Sequence, residues 1–323
     1  MTTLWDTTGS AVVKALAAER RTGGGVTSGL ALTLVVVMEE KDTADVEAAV
    51  SIAASRHPMR VLMVIRHNIE APVPRLDAEV SIGGRYGPGE TVVLRMYGRL
   101  ALHAESVTLP LLAPDAPVVA WWYSETPEVI AYDPLGVFAD RRITNAIRDA
   151  DPAASLHQRA ADYAPGDTDL TWTAITPWRA ALAAAFDTVR VRTNAVTVFG
   201  NPVDPSAQLL AGWLSSRLGI AVPVEKAEGK YISSVSVDFA DGHQVTLRND
   251  GHKLVMVRPN QADSIAPFPS RSTGDLLAEE LRRLDPDESY ADALGAVTGL
   301  TGLNDRPAVR THIWHDPALA NES

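Results

Sequence analysis

The sequence predicts an α/β domain on a mixed sheet, followed by an α+β domain built round an antiparallel meander. Three observations carry that prediction. Two unbroken apolar runs, Leu30–Met38 and Met59–Ile65, flank a helical segment, the βαβ order of two parallel strands buried on both faces. Two further strand-like runs, Ala78–Ile82 and Thr91–Tyr97, are joined by GGRYGPGE with no helix between them, which makes an antiparallel pair. In the second half, three strand-like runs are linked by Asp241-Gly242 and Asn249-Asp250-Gly251, the strongest short hairpin signals. The change of pattern puts the boundaries at 1–164, 165–303 and a 304–323 tail.

The elements follow in order. Thr8–Arg21 has an amphipathic face of Val12, Val13, Leu16 and Ala17 and ends at Gly23-Gly24-Gly25, a helix stop. Asp42 or Thr43 caps a helix through Ser55, with acids suited to its first turn. Ala104–Leu112 is a short helix stopped by Pro114, and Pro117–Tyr123 an apolar strand. Ala153–Tyr163 is a connecting helix. Thr176-Pro177 opens the next helix, to about Asp187, with Thr as cap and Pro first. A strand at Val189–Phe199 leads to Asp204-Pro205. That helix carries Leu209, Leu210, Trp213, Leu214 and Leu218 and ends at Gly219. Tyr231–Phe239, Gln244–Leu247 and Lys253–Val257 are the meander. Helices at Thr273–Leu284 and Pro286–Val297 close the domain. The tail has few apolar residues and is expected to be poorly ordered.

Composition excludes several functions. At a net charge of -11, the surface disfavours nucleic acid and anionic membrane. With no cysteine, disulfides, thiolate metal sites and thiol nucleophiles are ruled out. The N-terminus lacks signal-peptide order, and no apolar run is long enough for a membrane span. A cytoplasmic location is expected.

No catalytic constellation is complete. The glycines at Gly23 follow a helix and open a strand, the reverse of a dinucleotide loop, and no Gly-Lys-Ser/Thr or Gly-x-Ser-x-Gly occurs. His312 and His315 have metal-ligand spacing but lack further ligands; His57 suits a helix end. The acids Asp162, Asp167 and Asp169 are read as capping or solvated rather than catalytic. No metal and no cofactor is therefore expected.

The candidate interaction site lies between Pro117 and Arg179, where four of the seven tryptophans fall: Trp121, Trp122, Trp172 and Trp178. Adjacent strand residues face opposite ways, so Trp121 and Trp122 cannot share one core. One packs inward; the other meets a second layer, a second domain or another protein. Arg141 and Arg142 form an internal ion pair with Asp133, Asp140 or Asp169, or else an anion site or partner contact. Tryptophan and arginine are common interface anchors. These six residues are the expected partner-binding set.

The runs WWYSETP, DPLGVFADRRITNA and PGDTDLTWTAITPWRAALAAAFD resemble the actinobacterial glucose-6-phosphate dehydrogenase assembly proteins, OpcA. AVVKALAAERRTGGGVTSGLALTLVV, ASRHPMRVLMVI and LDPDESYADAL are similar to the same family. The resemblance implies a non-catalytic protein that binds glucose-6-phosphate dehydrogenase, helps its assembly, raises its activity and so supports the oxidative pentose phosphate pathway. Cyanobacterial relatives are linked to thioredoxin control through cysteines, which this chain lacks. The alternative is a sugar-phosphate- or nucleotide-binding enzyme with its pocket at the domain seam.

Overall fold

Chain order is β1 (Thr2–Leu4), α1 (Gly9–Thr22), β2 (Leu32–Met38), α2 (Thr43–Arg56), β3 (Met59–Arg66), β4 (Arg75–Ile82), β5 (Glu90–Tyr97), α3 (Ala104–Thr108), β6 (Val118–Trp122), α4 (Pro134–Phe138) and β7 (Arg141–Thr144). There follow α5 (Pro152–Ala161), β8 (Asp167–Asp169), α6 (Leu170–Ala174), α7 (Thr176–Asp187), β9 (Thr193–Gly200), α8 (Pro205–Leu218), β10 (Val224–Lys226), β11 (Ser234–Phe239), β12 (Gln244–Asn249), β13 (Lys253–Val257), β14 (Ser264–Pro267), α9 (Thr273–Glu280) and α10 (Glu288–Thr298). The computed structural model describes residues 1–22, 29–84, 89–187, 191–229 and 231–314. The Gly23-Gly24-Gly25 stretch with its phosphate-loop alternative, Val189 and His315 lie outside them. The chain divides into two compact units: Met1–Thr144 with Thr273–Asp285 and Ala308–Ser323, and Asn145–Ser272 with Pro286–Pro307.

In the first unit the strand order runs β1-β4-β5-β3-β2-β6-β7. Strands β5, β3, β2, β6 and β7 are parallel; β4 is antiparallel to β5 and to β1. Strands β2 and β3 are buried along almost their whole length, as a sheet covered on both faces requires. One face packs Val35, Val37, Leu62, Val64, Ala120 and Trp122 against Val12 and Leu16 of α1, Val107 of α3 and Leu135 of α4. The alternate residues Leu34, Val36, Val61, Met63, Val119 and Trp121 are equally buried. Helices α2 and α9 pack on one another. Their approach needs Gly274, where a Cβ would stand 2.8 Å from the Ala49 carbonyl oxygen.

The second unit holds a sheet in the order β10-β9-β11-β12-β13-β14. The meander β11-β12-β13 appears as expected, extended by β14. Strand β9 pairs antiparallel with β11 and parallel with β10 through the α8 crossover, an arrangement without a turn signal to announce it. Val235, Val237 and Phe239 point to the core while Ser234, Ser236 and Asp238 are half-buried on the other face, the period of a sheet packed on one side. Helix α8 starts at Asp204-Pro205 and stops at left-handed Gly219, as the sequence indicates. It crosses α10 closely at Gly212, where a Cβ would lie 2.4 Å from the Ala293 carbonyl oxygen.

Three local expectations change. Helix α10 starts at Glu288 rather than Pro286, capped by Asp287, which accepts from the Tyr290 N–H. At α2, Asp42 holds the cap position without bonding the helix, because its carboxylate accepts the Ser124 hydroxyl at 2.6 Å. The described part of the segment after Gly302, residues 303–314, is tied down. Leu303 is buried, Arg306 Nη1 donates to the carbonyls of Ala160, Ala161 and Tyr163, and the Ile313 N–H donates to Ala131 O at 3.0 Å.

Candidate functional site

Strand alternation separates the paired indoles as the sequence requires, but sends neither to a surface. Trp122 enters the core beneath α1, α3 and α4. Its Nε1 donates to Asp133 Oδ2 at 3.2 Å. Trp121, on the opposite face, is fully buried and makes an edge contact with Tyr123 at 5.3 Å. Its Nε1 has no hydrogen-bond partner among the described residues. Both faces of this sheet are core, so of the alternatives for the second indole, a second layer, a second domain or another protein, Trp121 takes the second layer.

The arginine pair is also interior. Parallel register sets Arg141 beside Val119 and Arg142 beside Ala120. Arg141 Nη1 donates to Asp285 O at 2.7 Å, and its Nη2 is ion-paired with Glu280 of α9. Arg142 Nη1 donates to Ala139 O at 2.6 Å. Of the three partners considered for the pair, Asp133 is engaged by Arg66 at 2.8 and 3.0 Å. Glu280 was not foreseeable, since nothing local ties it to a strand more than a hundred residues earlier.

Asp133 joins several of these features. Its carboxylate accepts from Arg66, from the Trp122 indole and from the Leu135 N–H that starts α4. Burial would raise its pKa; the Arg66 guanidinium and these hydrogen bonds overcome burial and hold the carboxyl below its ordinary value. Gly136 belongs to the same packing, because a Cβ there would stand 2.4 Å from Ile130 and 3.1 Å from the Trp122 ring.

Trp172 and Trp178 lie in the core of the second unit. Trp172 Nε1 donates to Asp287 at 2.8 Å, and the Arg179 guanidinium stacks 3.6 Å above its ring, a cation–π contact. Trp178 meets Phe268 edge-on at 6.0 Å. Asp169 serves as a cap, bonding the Thr171 N–H at 2.8 Å and the Ala146 N–H at 2.9 Å. Tyr290 is wholly buried, and burial with Asp169 and Asp167 nearby pushes its hydroxyl well above the usual tyrosine range.

Sequence reasoning missed the ionic cluster at the carboxyl ends of β2, β3 and β5. Arg95 bonds Glu40 and Glu79; His67 lies 3.5 Å from Glu40 and stacks on Tyr97 at 4.4 Å; Arg75 covers the same ring. A second buried set joins Glu90 to Arg20 and Arg60 at 2.6–2.7 Å. Only the alternation of charge near strand ends hinted at either. His57 bonds Ala278 O at 2.7 Å, a packing role. No group of three metal-ligating side chains occurs among the described residues.

Residues 49–161 match the family described as glucose-6-phosphate dehydrogenase subunit N-terminal domain, and residues 165–294 match its C-terminal domain. No curated protein matches the chain. Among solved structures, the Saccharomyces cerevisiae Gal80p super-repressor mutant is similar at 7% identity, over 85% of this chain and 96% of that one, with TM-score 0.38. The WlbA dehydrogenase of Chromobacterium violaceum, solved with NADH and UDP-GlcNAcA, is similar at 10% identity, over 87% of this chain and 90% of that one, with TM-score 0.29.

Proposed function

The chain belongs to the OpcA family of glucose-6-phosphate dehydrogenase assembly subunits, matched in both domains and in order, and on that premise we propose that it is a non-catalytic allosteric activator of that dehydrogenase. The observation that carries the reading is the paired match itself. It is supported by the fate of the unusual side chains: Trp121, Trp122, Arg141 and Trp172 are committed to packing and internal bonds rather than to a reaction centre. Through its partner the chain serves the oxidative pentose phosphate pathway, and a cytoplasmic location goes with that role. Among the described residues no helix is long and apolar enough to cross a membrane.

A binder changes a partner's activity only through its preference for one of the partner's states. Activation therefore saturates with the concentration of this chain and appears as a change in dehydrogenase turnover, substrate affinity or both. Co-purification with the cognate dehydrogenase, then steady-state kinetics with and without the chain, tests this. Unchanged kinetics at saturating complex would refute activation; turnover by the isolated chain would refute the non-catalytic role.

A further inference from the structure

The parallel order β5-β3-β2-β6-β7 is that of a dinucleotide-binding sheet, in which the cofactor lies beyond the carboxyl ends of the strands where their order reverses. Here that point falls between β2 and β6. A dinucleotide there needs glycine in the turn after the first strand, so that backbone can approach the pyrophosphate. It needs the N–H groups of the next helix open to phosphate oxygens, and phosphate surroundings that are not anionic.

The residues present fail the first and the last of these needs. The turn from β2 to α2 reads Glu39-Glu40-Lys41-Asp42, without a glycine, and winds as a short 3-10 turn. Three of its four side chains are carboxylates, and Asp45 adds another in the first turn of α2. The end of β6 stitches the mouth shut. The Glu39 N–H donates to Ser124 Oγ at 2.9 Å, Ser124 Oγ donates to Asp42 at 2.6 Å, and the Tyr123 hydroxyl donates to Asp45 at 3.2 Å. The arginines nearest the strand ends are matched already, Arg66 by Asp133 and Arg95 by Glu40 and Glu79.

We infer that this crevice is a dinucleotide site in strand order alone, closed by its own side chains, and that the chain brings no nicotinamide dinucleotide pocket to its complex. The second clause rests on the dehydrogenase-subunit reading; the first does not.

Titration of NADP+ and NADPH into the chain alone, followed by calorimetry and nucleotide fluorescence, tests the closure. The expected result is no saturation up to about 1 mM, the upper end of the range in which enzymes hold their substrates. A saturable isotherm overturns the inference. Equilibrium dialysis of the complex supplies a second reading: nucleotide bound per dehydrogenase subunit is expected to be the same with and without this chain. One further equivalent per copy of the chain overturns the inference even where the free chain binds none. Neither readout depends on activation, so a chain that failed to raise dehydrogenase turnover would sink the activator reading and leave the closed crevice standing.

Discussion

Trp121 and Trp122 are neighbours on one strand, yet each is anchored by a different layer. Truncating a large buried aromatic typically costs about 3–5 kcal/mol. Trp121→Ala and Trp122→Ala are both expected to lower the melting temperature substantially while the fraction that folds binds the dehydrogenase normally. Thermal melts paired with binding isotherms check this; a variant with native stability and weakened binding would restore that indole to the partner surface. Two aspartates set opposite pH dependences. Asp133 has a lowered folded pKa, so its contribution is present above the unfolded carboxyl pKa and is lost as pH falls through the folded one. Asp204 caps α8, but burial outweighs its bonds from Ser206 and Ala207 and raises its pKa. The folded state then holds the proton more tightly, so stability is fully present below the unfolded pKa and declines as pH rises through the folded one. Asp204→Asn keeps a capping side chain without the buried charge. It is expected to flatten that decline in denaturation curves across the mildly acidic range; an unchanged pH slope would contradict the assignment.

At the scale of elements, close helix approaches fix positions where only glycine fits. In a solvent-exposed helix, replacing Gly by Ala gains up to about 1 kcal/mol. At Gly212 the added methyl meets the backbone of α10, so Gly212→Ala is expected to lose about 1–3 kcal/mol by overpacking. Urea unfolding gives the sign directly, and a gain would mean the two helices separate freely. Asp287 joins two elements, capping α10 and accepting the Trp172 indole N–H. Its replacement by Ala removes a cap, about 0.5–2 kcal/mol, and strands a buried donor, about 1–3 kcal/mol. Asp287→Asn, which retains the cap, is expected to recover part of the loss. Equal losses for the two variants would show that the cap contributes nothing.

For the whole molecule, the sequence order and the packing order differ. Helix α9 lies between β14 and α10 along the chain, yet it belongs to the first unit, packed on α2 and bonded to Arg141. Cooperative units open together. Native-state hydrogen exchange in low denaturant is therefore expected to show the amides of Leu277 and Ala278 exchanging in step with β2 and β3. Exchange in step with β11 and β12 would place α9 in the other cooperative unit.

Much was legible before folding because its cause is local. The apolar runs of β2 and β3, the Asp204-Pro205 start and Gly219 stop of α8, and the turns of the β11–β13 meander each rest on a few adjacent residues whose backbone preferences suffice. The OpcA resemblance was likewise legible in long continuous runs, and the family matches over residues 49–161 and 165–294 bear out the resemblance. Alternation alone determined that Trp121 and Trp122 point apart. What lies on each side of them was decided by tertiary structure, since burial depends on which helices return to cover the sheet. The same holds for Arg141, whose carboxylate partner arrives on α9, and for β7 and β10, which gain strand identity from the neighbours they pair with. The closed crevice joins both kinds of information. The sequence supplies four residues, Glu39 to Asp42, that no phosphate loop would choose; only the fold puts them at the switch point and brings Ser124 across to close it, because that meeting depends on β2 and β6 lying side by side.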